Sequence, residues 1–260
     1  MRNDQGLMFH LLIKEGDIGR YVLMPGDPGR VAKIASFLDD AKPVAQHREY
    51  TTYTGSLLGE KVSVISTGIG CPSTAIAVEE AIVAGADTLI RVGTSGSMQP
   101  EIHTGDLAVI TGAIRDEGTS RAYLPIEFPA VANLEVVNAL VQGCREVGAP
   151  FHTGISQTKD SFYGEVERTR MPLAALLGEK WDAYVRGGAI CSDMEASVLF
   201  ILGGIYRKRA GAVVSVINSN DLAELDQKDT AKKMETGDVN RVIRAAVEGL
   251  KVLIKRDKGA

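Results

Sequence analysis

Short apolar runs alternate along the chain with longer segments whose apolar positions recur every three or four residues. Residues 21–24, 62–66, 88–92, 107–111 and 212–217 are rich in Val, Ile and Leu on both faces, the pattern of strands covered on both sides. Helical spacing fills the intervals. Residues 30–38 form one such segment, and residues 72–84 open on Pro72 and stop before Gly85. Residues 133–147 form a third helix, followed by Gly148. Residues 195–206 are apolar on nearly every side, which predicts a buried helix. Residues 238–255 place Val239, Val242, Ile243, Ala246, Val247, Leu250, Leu253 and Ile254 on one face, which predicts a C-terminal helix docked on the sheet.

This alternation predicts one α/β domain over residues 1–260, with a mixed, mainly parallel sheet flanked by helices. Two polar stretches, residues 160–170 and 218–230, read as loops, where sites concentrate on a rigid scaffold.

Composition narrows the function. With 45% apolar residues in 260, the chain can bury a sizeable core. A net charge of -4 lacks the electrostatic footprint of a nucleic-acid binder, while leaving room for a local basic pocket. Cys71, Cys144 and Cys191 are odd in number and widely spaced, which fits neither a disulfide framework nor a metal site. Buried reduced thiols are expected instead. The N-terminus has no apolar signal core, and no apolar stretch is long enough to span a bilayer. The expected compartment is the cytoplasm.

Three arginines carry the chemical signal. Arg30 closes Met24-Pro25-Gly26-Asp27-Pro28-Gly29-Arg30, and Arg91 opens Arg91-Val92-Gly93-Thr94-Ser95-Gly96. Arg48 lies in His47-Arg48-Glu49-Tyr50. The first two sit in glycine-rich turns after apolar runs, where a backbone can approach a ligand and offer it N–H groups. Guanidinium is the planar cation that suits a phosphate. Neither turn has the spacing of a dinucleotide or nucleoside-triphosphate fingerprint, which argues against a dehydrogenase. Further on, Asp193 and Glu195 flank Met194 at the start of the apolar helix. Helix capping explains carboxylates there. A buried, ionised Glu195 also needs partners, and two ribose hydroxyls would serve.

Together these stretches resemble the hexameric-type nucleoside phosphorylases, most closely the bacterial uridine phosphorylases. Pro25-Gly26-Asp27-Pro28, Ser66-Thr67-Gly68-Ile69-Gly70 and Met194-Glu195 form the specific part of the likeness. The resemblance implies a partly closed, barrel-like sheet and reversible phosphorolysis of a nucleoside to free base and ribose 1-phosphate. It implies inorganic phosphate as co-substrate and no organic cofactor. Gly26, Arg30, Arg91 and Thr94 match positions that grip phosphate, and Arg48 matches one donated by a neighbouring subunit. His10 matches a histidine that crosses the same interface to the ribose. Ser95, Gly96, Asp193, Met194 and Glu195 fall on nucleoside-binding stretches, with Glu195 holding the sugar hydroxyls. Phe162 and Arg168 match the base pocket, by packing and by hydrogen bonding. Glu49, Ile69 and Ser73 match an intersubunit potassium site. A homo-oligomer follows, with a dimer as the smallest active unit and a hexamer as the family's form. His47, His103 and His152 are read as structural.

Two departures bear on the base. Val166 stands where those enzymes carry a glutamine, and it has no donor or acceptor for a uracil edge. Gln157 and Lys159 are the nearby candidates to compensate. Asn218 stands where purine-specific relatives carry an aspartate, with Asp221 three residues on, and an amide is no general acid. A pyrimidine, uridine first, is therefore the expected substrate. The alternatives are a purine nucleoside phosphorylase and a nucleoside-binding protein without catalysis. A hydrolytic nucleosidase would have no use for three anion-binding arginines. On this reading Arg91 is purely a site residue, whose truncation spares the fold.

Overall fold

A computed structural model describes residues 1–218 and 239–259. The strands are β1 (Tyr21–Met24), β2 (Asp39–His47), β3 (Tyr50–Leu57), β4 (Glu60–Ile65), β5 (Thr88–Ser97), β6 (Leu107–Asp116), β7 (Ala130–Val131), β8 (Phe151–Lys159), β9 (Cys191–Asp193) and β10 (Arg209–Asn218). The helices are α1 (Gly29–Ala35), α2 (Cys71–Val83), α3 (Leu134–Glu146), α4 (Phe162–Val166), α5 (Ala174–Arg186), α6 (Ala196–Ile205) and α7 (Val239–Asp257). All five apolar runs form strands, namely β1, β4, β5, β6 and β10.

The sheet is mixed and half of it closes on itself. β5 pairs with β10, β10 with β6, β6 with β8, β8 with β9, and β9 returns to β5. This five-membered ring is a small barrel. From β5 an open wing runs through β1, β4 and β3 to β2. β5 therefore belongs to both parts. The pairings of β5 with β1 and β10 are parallel, while the wing beyond β4 is built of antiparallel hairpins.

Helix α6 is buried from Ala196 through Gly203, in line with its all-round apolar sequence. Asn133 caps α3, its side chain accepting from the N–H groups of Glu135 and Val136. Helix α7 packs on α3 as well as on the sheet, and small residues allow it. A Cβ on Gly143 would lie 2.2 Å from the Ala245 carbonyl oxygen and 2.6 Å from the Gly249 nitrogen. At the edge where β1 and β10 begin, Asp257 of α7 accepts from Arg209 at 2.9 and 2.5 Å and from the Tyr21 hydroxyl at 2.7 Å. Arg209 therefore holds the Asp257 carboxyl down at about 2. No helix among the described residues is long and apolar enough to cross a membrane.

Candidate active site

One cavity of about 620 Å³ opens where the glycine-rich turns meet the start of α6. Gly26, Arg30, Arg91, Thr94, Ser95, Gly96, Phe162, Asp193, Met194 and Glu195 all line it. These residues come from the turn after β1, from β5, β9, α1 and α4, and from the turn before α6, so the fold gathers residues separated by up to 169 positions in the chain.

Arg91 lies deepest. Its Nε donates to Asp193 Oδ2 at 2.9 Å and its Nη2 meets Glu195 Oε2 at 2.6 Å. It can lie this close to the backbone because residue 93 is glycine: a Cβ there would stand 2.7 Å from the Arg91 Cζ. Burial alone would lower the guanidinium pKa, but Glu195 and Asp193 outweigh it, and Arg91 is raised above its ordinary value. Arg30 is different. Burial lowers it, Asp27 opposes the shift and Arg91 adds to it. Its nearest carboxylate, Asp27, is 3.8 Å away. Two like charges thus face one cavity and only one of them is well neutralised, which is a site that attracts an anion.

The two carboxylates divide their tasks. Asp193 Oδ2 accepts from the N–H groups of Ala196 at 3.0 Å and Glu195 at 3.3 Å, so Asp193 caps α6. Its Oδ1 accepts from Ser156 at 3.2 Å and Thr158 at 2.7 Å. With Arg91 added, Asp193 is saturated and acts as a positioning residue. Glu195 does not cap with its side chain. Its partners come from the protein itself, Arg91 and the Gly70 N–H at 2.7 Å, where the sequence alone pointed to sugar hydroxyls. Each Glu195 oxygen makes one of these contacts, which leaves lone pairs for a ligand. Burial pushes the Glu195 carboxyl up and Arg91 opposes it. Gly70 can offer its N–H because it adopts a φ of 93°, a conformation that glycine favours. Arg91 is consequently more than a site residue: it is the counter-ion of two buried carboxylates.

The far end of the cavity holds a polar group that the sequence only half revealed. Lys159 Nζ contacts Ser192 Oγ at 2.5 Å and Glu165 Oε2 at 2.6 Å. Gln157 donates to Asp116 at 2.9 Å and accepts from Ser192 at 3.1 Å. Of the two candidates to replace a glutamine, Lys159 therefore lines the main cavity and Gln157 supports it from behind. Glu165 escaped the sequence reading. Its signal was its position, beside Val166 in a polar loop next to Phe162. That loop holds the short helix α4 and a single 3-10 turn at Arg168–Arg170.

Other expected residues lie elsewhere in this chain. Arg168 lines a second cavity of about 170 Å³, with its guanidinium 5.8 Å from the Trp181 ring. The two cavities share Lys159 and Glu165. Arg48 is exposed at a φ of 54° and does not line the main cavity. The His10 ring is fixed through Nδ1 to Glu80 at 2.8 Å, and Glu80 also accepts from the His10 and Leu11 N–H groups. Glu49, Ile69 and Ser73 line the main cavity. Asn218 lines it too, and its Oδ1, like the Ser95 hydroxyl, is buried without a hydrogen-bond partner among the described residues. Asp221 lies outside the described residues. The three cysteines are buried and free, and burial pushes Cys144 and Cys191 up to about 12. His47 Nδ1 donates to the His10 carbonyl and His152 pairs with Asp106, both structural contacts.

Comparison with known proteins agrees with this geometry. The family model described as the phosphorylase superfamily matches residues 20–254. A uridine phosphorylase of Treponema pallidum (strain Nichols) is 46% identical over 249 residues, covering 96% of this chain and 95% of that protein. A uridine phosphorylase of Escherichia coli (strain K12) is 38% identical over 247 residues, 92% of this chain and 96% of that one. A guanosine phosphorylase of Halorubrum lacusprofundi is 36% identical over 247 residues, 94% of this chain and 98% of that one. The matched region contains both glycine-rich turns, Arg30, Arg91 and the Asp193–Glu195 pair, and by this measure the chain belongs to the phosphorylase superfamily.

Proposed function

We propose that the chain catalyses reversible phosphorolysis of a pyrimidine nucleoside, uridine first, giving free base and ribose 1-phosphate. The observation that carries this reading is the convergence of Arg30 and Arg91 on one cavity that also holds Glu195. A phosphate dianion held by Arg30, Arg91, Thr94 and the Gly26 turn attacks C1′ from beneath the sugar. As the glycosidic bond lengthens, positive charge grows on the ribose and the dianion stabilises it. Glu195 accepts from the sugar hydroxyls, and Met194 and Phe162 pack on sugar and base. Positioning and fixed charge supply the rate. Asn218 cannot protonate a purine N7, which supports the pyrimidine reading. Turnover of uridine, thymidine, inosine and adenosine with and without phosphate tests it. The expected outcome is phosphate-dependent loss of uridine; hydrolysis without phosphate would refute it.

Arg48 and His10 are proposed to act in a neighbouring subunit's site, with a dimer as the smallest active unit and a hexamer as the assembled form. The exposure of Arg48 supports this. Subunits carrying Arg48→Ala mixed with subunits carrying Arg91→Ala test it. A dimer of the two holds one complete site, so activity returns on mixing if Arg48 acts across the interface. Glu49, Ile69 and Ser73 offer only oxygen donors, with Ser73 Oγ 3.3 Å from the Ile69 carbonyl, a set suited to a hard monovalent cation such as potassium. Buried thiols fit a reducing compartment, and the cytoplasm is the proposed location.

A further inference from the structure

Where the two cavities meet, a buried ion pair keeps unused hydrogen-bonding capacity on both partners. Lys159 ends β8 and Glu165 belongs to α4; their side chains are 9% and 13% exposed. Ser192 of β9 joins them, its Oγ 2.5 Å from Lys159 Nζ and 2.7 Å from Glu165 Oε2. An ammonium has three N–H donors and a carboxylate two oxygens. Ser192 takes one Lys159 donor, the ion pair with Glu165 Oε2 engages at most one more, and Ser192 reaches Glu165 through Oε2 alone. One Lys159 N–H and Glu165 Oε1 therefore have no hydrogen bond among the described residues. Both residues line the cavity beside Phe162, and the neighbouring Val166 side chain has no polar atom.

We propose that Lys159 and Glu165 together read the base, the ammonium donating to a ring carbonyl and the carboxylate accepting from the adjoining N–H. This inference rests on the phosphorolytic reading of the site and names its specificity determinants. Uracil and thymine present a carbonyl beside an N–H. Cytosine presents an amino group beside a bare ring nitrogen, which reverses donor and acceptor and sets both against this pair. A site whose polar groups are left unpaired by the wrong ligand rejects it by about 10⁴-fold. The pair also suits the reaction. It is neutral overall, and its ammonium faces the carbonyl oxygen onto which the departing base delocalises negative charge. Gln157, anchored by its donation to Asp116, stands one step back as a positioning residue: its Oε1 lies 3.1 Å from Ser192 Oγ and competes with Glu165 Oε2, at 2.7 Å, for the one Ser192 proton.

The test compares kcat/KM for uridine, 3-methyluridine and 4-nitrophenyl β-D-riboside, with and without phosphate, in the full chain and in Glu165→Ala, Glu165→Gln and Lys159→Met. Methylation removes the N–H that Glu165 accepts, and nitrophenol has no carbonyl–N–H edge at all. The unaltered chain is expected to prefer uridine over 3-methyluridine by about 100-fold or more. Glu165→Ala reduces that ratio to within about tenfold, and its loss on uridine exceeds its loss on the nitrophenyl riboside by about 100-fold. Glu165→Gln keeps an acceptor oxygen and restores part of the ratio. Equal turnover of uridine and 3-methyluridine by the unaltered chain overturns the inference. So does an unchanged ratio in Glu165→Ala, or an equal loss on uridine and the nitrophenyl riboside, which marks a merely structural role. Failure of the underlying reading looks different: the nitrophenyl riboside is then cleaved without phosphate, or by none of the proteins.

Discussion

The two ends of the cavity are built in opposite ways. The anion end comes from two contiguous segments: the turn from Gly26 to Arg30 after β1, and Arg91 to Gly96, which the sequence suggested as a turn but which continues strand β5. Each segment carries its own guanidinium. The base end is assembled pairwise from β8, α4 and β9, with one side chain from each. Lys159, Glu165 and Ser192 are separated in the chain by up to 33 positions and meet only in three dimensions. A site end written as a local motif is fixed to one ligand. An end made of single side chains on separate elements can change its ligand by single substitutions, which is where relatives of one family can diverge in the base they take.

Four measurements press on this contrast. The largest effect belongs to Arg91→Ala. Removing one member of a buried charged pair costs about 2–5 kcal/mol, or about 30- to several-thousand-fold in kcat/KM if the loss falls in the transition state. Because Asp193 and Glu195 are left buried together, stability falls as well, by about 3–5 kcal/mol. Parallel assays of turnover and thermal melting read both; a variant that melts normally would show that Arg91 does not hold the carboxylates. Next comes Gly68→Ala. Gly68 has a φ of 71°, and a Cβ would lie 2.7 Å from the Glu49 Cγ and 2.9 Å from the Ser73 Oγ. Strain of about 1–3 kcal/mol is expected from denaturant titration.

Arg168→Ala sharpens the contrast from the other side. Its guanidinium lies near Trp181 in the second cavity, an interaction of about 0.5–1 kcal/mol. Uridine turnover should fall less than in Lys159→Met; the reverse order would return the base contact to Arg168. The smallest effect is remote from both ends. Asp257 is held at about 2, below its ordinary 3.8, chiefly by its hydrogen bond from Arg209. A lowered carboxyl stabilises the fold above its unfolded value and loses that contribution as pH falls through the folded one. Melting temperature should therefore drop more steeply between pH 4 and pH 2 in the unaltered chain than in Asp257→Asn, while kcat/KM at neutral pH stays level.

The same contrast explains what could be read from the residues. The strands β1, β4, β5, β6 and β10 announce themselves because each carries a stretch covered on both faces and rich in Val, Ile and Leu. Strand β2 is mostly exposed and has no such run. Strand β3 mixes threonine, tyrosine and glycine, and β8 ends in Ser156-Gln157-Thr158-Lys159, polar because it lines the site. These three escape a reading based on hydrophobic pattern. Arg30, Arg91 and Glu195 were legible because glycine turns and a charged residue before an apolar helix are rare combinations. Glu165 looked like any solvated carboxylate, since nothing in its neighbourhood along the chain reveals Lys159 or Ser192 across the fold. The helix predicted at 238–255 is found as α7 from Val239 onward, while the loop predicted at 218–230 falls, beyond Asn218, outside the described residues.

Arg91 sits on the one strand that the closed ring and the open wing have in common, and the Gly26 turn belongs to the wing alone. An oxyanion gripped by both is therefore a clasp across the seam of the sheet. Its occupancy should raise the resistance of the whole molecule to unfolding, by about 2.7 kcal/mol when the ion is at a hundred times its dissociation constant. Saturating phosphate thus does two jobs at once: it arms the attack on the sugar and it locks the two halves of the scaffold together.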